Sequence, residues 1–259
     1  MKVALAQTHI LWEEKESNFD KVASFTRQAK EKDADVIFFP EMSLTGFSMN
    51  TGKTAEGDTR ETVEKVRTLC KKEKITIGIG WTKQGMVKAE NHYTVVDQNG
   101  DICSDYIKIH PFSYAGETDY FQGGSEITYF KMGGYTWCTF ICYDLRFPEI
   151  FQIASQKADV IVVPANWPKK REEHWRTLLK ARAIENQSYI LGINCVGEVG
   201  NSIFSGFTSF YAPDGRCVKE LSNEEGLILE ELKHEELNIR TEFPVKNDRK
   251  CSLYGKLTK

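Results

Sequence analysis

The chain carries one apolar pattern twice, as Ala34-Asp35-Val36-Ile37-Phe38-Phe39-Pro40 and as Ala158-Asp159-Val160-Ile161-Val162-Val163-Pro164. Each copy is a short continuous apolar run that a proline ends, which is typical of a strand buried on both faces. Each copy also follows a segment with helical periodicity, at about 17–32 and at about 144–157. The repeat therefore predicts two similarly built halves, in each of which a buried strand follows a helix.

The sequence around the two copies predicts further strands and helices. In the first half, Ser17 with Asp20 and Asp58 with Glu61 resemble capping boxes at helix starts, and Asn99-Gly100 is typical of a hairpin turn. The predicted strands of this half are Val3–Gln7, Val36–Phe39, Ile75–Trp81, His92–Val96 and Ile102–His110. The second half is predicted as strand Thr136–Ile141, helix about 144–157, strand 159–163, helix about 171–187, strand Tyr189–Cys195, a hairpin turned at Pro213-Asp214-Gly215, and a last strand near Leu227–Leu232.

The two halves are not separated by a linker rich in Gly, Ser or Pro. We therefore expect residues 1–259 to form a single α/β domain, a four-layer αββα sandwich of two mixed sheets with outer helices. Two tandem domains are the alternative arrangement.

Charge and composition exclude several classes of protein. The 259 residues include 34 Lys+Arg and 37 Asp+Glu, a net charge of -3 without long like-charge blocks, so neither nucleic acid nor a membrane is an expected partner. No apolar stretch approaches the roughly 20 residues that span a bilayer, and the start of the chain lacks the apolar run of a signal peptide. Together with an odd count of seven cysteines, these features predict a reducing, cytoplasmic location.

Several common site motifs are absent from the sequence. It contains no H-E-x-x-H, no C-x-x-C, no G-x-x-x-x-G-K-[ST], no G-x-S-x-G and no G-x-G-x-x-G after a strand. Cys138 and Cys142 are four residues apart, but no histidine cluster accompanies them, which argues against a metal site. We expect neither a metal nor a cofactor.

Cys142 has a setting that the other six cysteines lack. It ends the apolar strand Trp137–Ile141 and precedes Tyr143–Glu149, where a helix is predicted to start. A thiol on such a strand-to-helix turn lies at the carboxyl ends of the strands, near the positive end of a helix that favours the thiolate. This setting indicates a nucleophile, whereas a buried cysteine that only packs is the alternative.

A thiol nucleophile needs a base and a group that stabilises an oxyanion, and two other strand ends supply them. Glu41 directly follows Pro40, and Lys108 ends the strand Tyr106–His110 before Pro111. Each residue alone also has a structural explanation, as a loop cap for Glu41 and as an exposed hairpin residue for Lys108. Their joint occurrence with Cys142 nevertheless favours a catalytic set of base, oxyanion stabiliser and nucleophile.

The segments around these residues resemble the three signature segments of the nitrilase superfamily of carbon–nitrogen hydrolases. They are Phe39-Pro40-Glu41, Tyr106-Ile107-Lys108-Ile109-His110-Pro111-Phe112 and Cys142-Tyr143-Asp144-Leu145-Arg146-Phe147-Pro148-Glu149. The resemblance covers nearly the whole chain and includes Ala115-Gly116-Glu117, Pro164-Ala165-Asn166-Trp167 and Ala181–Gln187. Within the superfamily, residues 40–49 and 165–168 with His174-Trp175 are most similar to bacterial omega-amidases, which hydrolyse the terminal amide of 2-oxoglutaramate and 2-oxosuccinamate.

The resemblance implies a fold, an assembly and roles for individual residues. The implied fold is the αββα sandwich, and the implied assembly is a homodimer or a larger homo-oligomer that binds a small-molecule amide. The resemblance also implies that Glu41 is the base and that Cys142 is the nucleophile, which forms a thioester. Lys108 would face the oxyanion together with the backbone N–H of Tyr143, and Glu117 would orient Lys108 or the substrate.

The residues that bind the rest of a small keto-acid amide are less evident. Arg146 is a candidate partner for a substrate carboxylate, although an ion pair with Asp144 that holds the turn is the stronger alternative. Aromatic residues near the strand ends are candidates for pocket walls or for plain core. The full set of candidate substrate-binding residues is Phe112, Tyr114, Arg146, Asn166, Trp167 and His174.

The leading functional hypothesis is thus a thiol amidase that acts on small omega-amides. A carbon–nitrogen hydrolase with another substrate, such as an N-carbamoyl amine, a nitrile or a deaminated peptide, would differ only in the lining of its pocket. A non-catalytic binding protein with the same fold is the third hypothesis. The presence of all of Glu41, Lys108, Glu117 and Cys142 argues against it.

Overall fold

The predicted strands are present in the computed structural model, which describes residues 1–257. The strands are β1 (Lys2–Gln7), β2 (Val36–Phe38), β3 (Thr76–Lys83), β4 (Ala89–Val96), β5 (Ile102–Ile107), β6 (Phe121–Gln122), β7 (Tyr129–Met132), β8 (Tyr135–Thr139), β9 (Val160–Ala165), β10 (Tyr189–Asn194), β11 (Val196–Val199), β12 (Ser202–Tyr211), β13 (Cys217–Ser222) and β14 (Gly226–Glu231). They form two mixed sheets, as predicted.

The two copies of the repeated pattern occupy equivalent places in the two sheets. The first sheet has the order β14-β1-β2-β3-β4-β5 with β6 beside β4, and the second has the order β11-β12-β10-β9-β8-β7 with β13 beside β12. Strand β2 lies between its parallel neighbours β1 and β3, and β9 lies between its parallel neighbours β8 and β10. Every residue of β2 and β9 is buried, as a continuous apolar run predicts.

Helices cover the outer faces of the sheets, which confirms the αββα layering. They are α1 (Lys15–Glu31), α2 (Thr51–Thr54), α3 (Glu61–Glu73), α4 (Glu117–Tyr120), α5 (Pro148–Ala154), α6 (Glu172–Asn186), α7 (Ile239–Glu242) and α8 (Cys251–Leu257). Val22 of α1 and Val66 of α3 pack in the core under the first sheet, and Leu179 of α6 packs in the core of the second. In the part of the chain that the structure describes, no helix is long and apolar enough to cross a membrane.

The two sheets share a hydrophobic core. The rings of Phe38 in β2 and Trp137 in β8 are buried with their centroids 5.6 Å apart, and Tyr106 of β5 meets Phe140 edge-on at 5.8 Å. Full burial of one such side chain contributes about 1.5–3 kcal/mol, so these contacts are a main source of the attraction between the sheets. The core therefore holds the strand ends of one sheet in a fixed relation to those of the other.

The segment after Cys142 differs from the predicted helix at about 144–157. A 3₁₀ turn spans Cys142–Arg146, and α5 begins only at Pro148. Proline disfavours the helical conformation in the preceding residue and has no N–H to continue a helix, and Phe147 accordingly has an extended backbone. The prediction of one continuous helix is therefore wrong.

The predicted capping boxes do not form either. Helix α1 begins at Lys15, two residues before Ser17, and has no side-chain cap. Helix α3 has no cap from Asp58, because Glu56 takes that place and accepts hydrogen bonds from the N–H and the hydroxyl of Thr62. A carboxylate at the start of a helix satisfies the free N–H groups there, so the capping group is acidic but precedes the predicted one by two residues.

The end of the chain returns to the first sheet and then extends beside the second half. Strand β14 pairs antiparallel with β1, and short helical segments follow that the sequence analysis does not predict. Arg240 Nη1 bonds Asp159 at 2.6 Å, and Arg249 Nη2 bonds the carbonyl oxygen of Glu185 at 2.7 Å. These arginine contacts, rather than an apolar pattern, hold the last segments in place.

Gly80 of β3 allows the loop after β2 to approach the sheet. A Cβ atom at this position would lie 2.5 Å from the backbone nitrogen of Met42 and 2.8 Å from the carbonyl oxygen of Pro40. Both are backbone atoms, which cannot swing away as the end of a flexible side chain could. The position of the loop at 40–42 therefore depends on glycine at residue 80.

We expect Gly80→Ala to lower the free energy of unfolding by about 1–3 kcal/mol, the usual range for an overpacked site. Denaturant unfolding followed by circular dichroism measures this loss. Gly52→Ala is the matched control, because a Cβ atom at residue 52 meets no other atom within 4 Å. Equal unfolding midpoints for Gly80→Ala and the unmodified protein would contradict the close approach.

Candidate active site

Three strand ends bring Glu41, Lys108 and Cys142 together. Glu41 follows β2 and Lys108 follows β5 of the first sheet, whereas Cys142 follows β8 of the second sheet. The Lys108 ammonium lies 2.9 Å from Glu41 Oε1, and the Cys142 thiol interacts with both side chains. Glu41 and Lys108 are at most 1% exposed and Cys142 is 8% exposed, so the thiol is the member of this group that a ligand can reach.

A second carboxylate, that of Glu117, also binds the Lys108 ammonium. Lys108 Nζ lies 2.8 and 3.1 Å from the two Glu117 oxygens. The Asn91 side-chain amide donates to Glu41 Oε1 at 2.8 Å and to Glu117 Oε1 at 3.2 Å. One cation and one amide thus hold two carboxylates that would otherwise repel each other. Asn91 lies within β4 and was missed by the sequence analysis, because a polar residue inside a strand carries no distinctive signal.

The backbone turns sharply at Cys142. Its φ of 47° lies in the left-handed region that residues other than glycine rarely adopt. Asp144 fixes this turn, because its carboxylate accepts hydrogen bonds from the Tyr106 hydroxyl at 2.8 Å and from the His110 N–H at 3.0 Å. Tyr106 and His110 flank Lys108 in the sequence, so Asp144 fastens the segment that carries the thiol to the segment that carries the ammonium.

Arg146 is not the partner of Asp144. The Asp144 carboxylate faces His110, whose Nδ1 lies 2.8 Å away. The Arg146 guanidinium lies over the Trp167 ring, 4.7 Å from its centroid, and its Nη2 is 3.3 Å from His174 Nδ1. The alternative of a structural Asp144–Arg146 ion pair is therefore wrong, because the two side chains leave the 3₁₀ turn toward different neighbours.

The protonation states of the site follow from burial and from the two carboxylates. Burial and the nearby Glu41 raise the pKa of Cys142 well above its usual value, and Lys108 offsets this only in part. Burial alone would lower the pKa of Lys108, but Glu117 and Glu41 outweigh it and raise that pKa. Burial also raises the pKa of Glu117, which Lys108 opposes. The resting site thus holds a neutral thiol beside an ammonium, not the thiolate expected at a helix start.

Asn166 binds Glu41 from the second sheet. Its N–H donates to Glu41 Oε2 at 2.9 Å, and its side-chain amide donates to the Glu41 carbonyl oxygen at 2.6 Å. Its side-chain oxygen accepts the Cys195 thiol at 3.2 Å, and its carbonyl oxygen lies 4.0 Å from Cys142 Sγ. Asn166, a candidate substrate-binding residue, therefore directs its donor groups at Glu41 and positions it.

Cys142 lies in the wall of a cavity of about 560 Å³. Most of the predicted supporting and substrate-binding residues also line this cavity, namely Phe112, Tyr114, Tyr143, Arg146, Asn166 and Trp167. His174 is not among the described residues that line it: this residue is exposed, and its Nδ1 lies 3.3 Å from Arg146 Nη2. The sequence analysis missed further lining residues, among them Trp12, Lys170 and Arg171.

The cavity has a positively charged side. Arg146, Lys170 and Arg171 line it, and no acidic residue does within residues 1–257. Burial and the charge of Arg171 lower the pKa of Arg146, so the two guanidinium groups are close enough to repel each other. Arginine groups without an acidic partner are suited to bind a carboxylate. Arg146 is a predicted candidate for this role, whereas Lys170 and Arg171 were missed because the basic run Lys169–Arg171 resembles an ordinary solvated surface.

The arrangement provides the groups of covalent hydrolysis at one place. It combines a thiol at a cavity wall, a carboxylate near enough to raise the pKa of this thiol and a cation that binds the carboxylate. Over the described residues 1–257, no group of three or more His, Cys, Asp or Glu side chains is placed to hold a metal ion. The expectation that no metal or cofactor takes part stays a prediction.

Comparisons with known proteins identify the family. The family model described as carbon-nitrogen hydrolase matches residues 2–238. The chain is 34% identical to the 2-oxoglutaramate amidase of Bacillus subtilis over 240 residues, which cover 90% of this chain and 92% of that protein. It is 35% identical to the omega-amidase YafV of Yersinia enterocolitica over 204 residues, which cover 78% of this chain and 77% of that protein.

A solved structure with the same fold supports this result. It is a CN-hydrolase superfamily protein of Xanthomonas campestris with an arsenic adduct in its active site. That protein is 25% identical to the chain and superposes with a TM-score of 0.90, over 96% of this chain and 97% of that chain. The resemblance to the nitrilase superfamily is confirmed, and the chain belongs to the carbon–nitrogen hydrolase family.

Proposed function

We propose that the protein is a thiol amidase that hydrolyses the terminal amide of small omega-amides such as 2-oxoglutaramate, releasing 2-oxoglutarate and ammonia. The observation that carries this proposal is a cavity with both the Cys142 thiol and the Arg146 guanidinium in its wall, and with no acidic residue in its lining within residues 1–257. The names of the relatives, 2-oxoglutaramate amidase and omega-amidase, agree with a substrate that has an amide at one end and a carboxylate at the other.

The first half of the reaction transfers the acyl group to the thiol. Because the resting Cys142 is protonated, Glu41 takes its proton as the sulfur attacks the amide carbonyl carbon. The carbonyl oxygen becomes an oxyanion, which the Lys108 ammonium and the backbone N–H of Tyr143 stabilise. Glu41 then returns the proton to the leaving nitrogen, the C–N bond breaks, and ammonia departs from a Cys142 thioester.

The second half of the reaction hydrolyses the thioester. Glu41 takes a proton from a water molecule, and the water oxygen attacks the thioester carbonyl carbon. The C–S bond breaks, and Glu41 returns the proton to the Cys142 sulfur. The product is released as the carboxylic acid, which loses its proton to solvent and becomes the carboxylate. Lys108 stays charged throughout because the two carboxylates raise its pKa, so its role is electrostatic and not that of a proton donor.

The organisation and assembly of the chain belong to the same proposal. The core that the two sheets share supports a single domain over residues 1–259, of which the last two lie outside the described residues. Ile153 of α5 is 55% exposed and Ile184 of α6 is 50% exposed, which provides apolar surface for the homodimer that the resemblance implies. A cytoplasmic location likewise stays a prediction.

We expect a Cys142 thioester to be trapped by rapid acid quench with a slowly hydrolysed omega-amide. Mass spectrometry of peptides should find the acyl group on the peptide that contains Cys142. Cys142→Ala should reduce ammonia release to background, whereas Cys138→Ala, which removes a fully buried thiol from β8, should retain it. An acyl group on Cys138 or Cys195, or substantial turnover by Cys142→Ala, would contradict the mechanism.

We expect the alkylation of Cys142 by iodoacetamide to become faster with rising pH throughout the range from 6 to 9. The thiolate is the reactive form, and a pKa raised by burial and by Glu41 keeps its fraction small and still increasing over this range. Peptide mass spectrometry measures the rate at Cys142, and the exposed Cys251 serves as the internal reference. A plateau in the rate at or below pH 7 would indicate a stable resting thiolate instead.

We expect 2-oxoglutaramate to be hydrolysed with a kcat/KM about 100-fold or more above that of pentanamide, a neutral amide of similar size. Arg146→Gln should remove most of this preference and leave the unfolding midpoint nearly unchanged, because Arg146 has no acidic partner among residues 1–257. Arg27→Gln, on the exposed face of α1, is the matched control. Equal turnover of both amides by the unmodified protein would leave only the broader activity of a thiol amidase.

A further inference from the structure

A second arginine lines the same cavity as Arg146. Arg171 ends the 3₁₀ turn Lys169–Arg171, and its guanidinium lies over the Phe112 ring, 5.4 Å from the centroid. No carboxylate within residues 1–257 forms an ion pair with Arg171, although Glu172 is its neighbour in the sequence. A cation that packs on an aromatic ring and has no acidic partner keeps its donor groups available to a ligand.

Trp167 connects the two arginines. Its ring carries the Arg146 guanidinium, and its indole N–H donates to the Arg171 carbonyl oxygen at 2.8 Å. The indole is 3% exposed and packs against Trp175, with ring centroids 5.4 Å apart, and its backbone N–H donates to Asn194 Oδ1 at 2.8 Å. A buried side chain therefore contacts the Arg146 guanidinium and the backbone of Arg171, which links the positions of the two residues.

Within the described residues 1–257, no acidic side chain forms an ion pair with either arginine of this pair. Burial and the charge of Arg171 lower the pKa of Arg146, which is the effect expected of two like charges that share a poorly solvated space. The cavity lining adds a third cation, Lys170, and no acidic side chain from the described part of the chain. A ligand with two neighbouring acceptor oxygens would relieve this repulsion, whereas a cationic group would increase it.

We propose that Arg171 and Arg146 form a clamp for the 2-oxo acid end of the substrate and that Arg171 determines specificity at the carbon next to the carboxylate. This inference rests on the proposed function and names the class of its substrate. Arg146 binds the carboxylate, and Arg171 donates to the 2-oxo oxygen and the adjacent carboxylate oxygen. Two planar donor groups match the two neighbouring acceptors of a 2-oxo acid.

The clamp distinguishes 2-oxoglutaramate from glutamine. The two molecules share the terminal amide, the chain length and the carboxylate, but glutamine carries an ammonium group where 2-oxoglutaramate carries an oxygen. An ammonium beside Arg171 would meet a like charge and would find no acidic residue in the lining within residues 1–257. The cavity therefore selects omega-amides of 2-oxo acids over those of 2-amino acids.

The test compares 2-oxoglutaramate, glutaramate and glutamine as substrates of the unmodified protein and of Arg171→Gln. Glutaramate has neither an oxo nor an ammonium group at the carbon next to the carboxylate. We expect Arg171→Gln to raise KM for 2-oxoglutaramate about 10- to 100-fold with little change in kcat, the effect of losing a hydrogen bond to a charged group. The effect on glutaramate should be smaller, and the ratio of kcat/KM for glutamine to that for 2-oxoglutaramate should increase at least tenfold.

Matched variants separate this role from a structural one. Lys169→Gln removes a charge from the same 3₁₀ turn at a position that does not line the cavity, and it should leave all three substrates unaffected. Arg171→Lys keeps the charge without the planar donors and should fall between Arg171→Gln and the unmodified protein. Thermal unfolding midpoints identify any variant that fails to fold.

A binding measurement with the product tests the clamp independently of the proposed amidase activity. Calorimetry with 2-oxoglutarate and the Cys142→Ala protein requires no turnover, and Arg171→Gln in that background should weaken binding about tenfold or more. If the unmodified protein releases no ammonia from 2-oxoglutaramate, the proposed function fails, and the calorimetry still tests the clamp. Unchanged binding by Arg171→Gln, or equal losses on all three amides, would overturn the clamp and leave the amidase proposal standing.

Discussion

The buried ammonium of Lys108 is the interaction on which the rest of the site depends. A charge removed from water is tolerated only beside partners of opposite sign, and Lys108 has Glu41 and Glu117. Breaking such a buried group by removing one partner costs about 3–5 kcal/mol, so the loop after β2 and helix α4 are both tied to the end of β5. The same ion pairs therefore stabilise the fold and form the candidate active site. A substitution that removes one of these carboxylates is expected to affect both stability and catalysis.

The two copies of the repeated pattern come together at the candidate active site. Each copy of the pattern ends in a proline. Glu41 directly follows the first proline, Pro40, and Asn166 is the second residue after the other proline, Pro164. The Asn166 N–H donates to Glu41 Oε2, so the ends of the two equivalent strands touch across the shared core. The chemistry has nevertheless diverged between the halves, because one copy supplies a carboxylate and the other supplies the amide that orients it.

The sequence predicts the elements of the fold and the main site residues better than the connections between them. Glu41, Lys108 and Cys142 are recognisable because each lies at the end of a predicted strand, and the ends of neighbouring strands meet. Asn91 and Arg171 are not, because their importance comes from contacts with residues far away in the sequence. The break before α5 could have been predicted from Pro148, whereas the partner of Asp144 depends on how β5 and the 3₁₀ turn pack together.

The division of the site between two sheets has a consequence for how the protein responds to mild stress. Glu41 and Lys108 belong to one sheet and Cys142 to the other. Core packing such as Phe38 against Trp137, together with the hydrogen bonds of Asp144 and Asn166, keeps them in register. Loosening of that packing separates base from nucleophile while each sheet still keeps its own backbone hydrogen bonds. Catalytic activity therefore depends on the packing of the two sheets against each other. Heat or mild acid would abolish activity while the far-ultraviolet circular dichroism spectrum still showed native secondary structure.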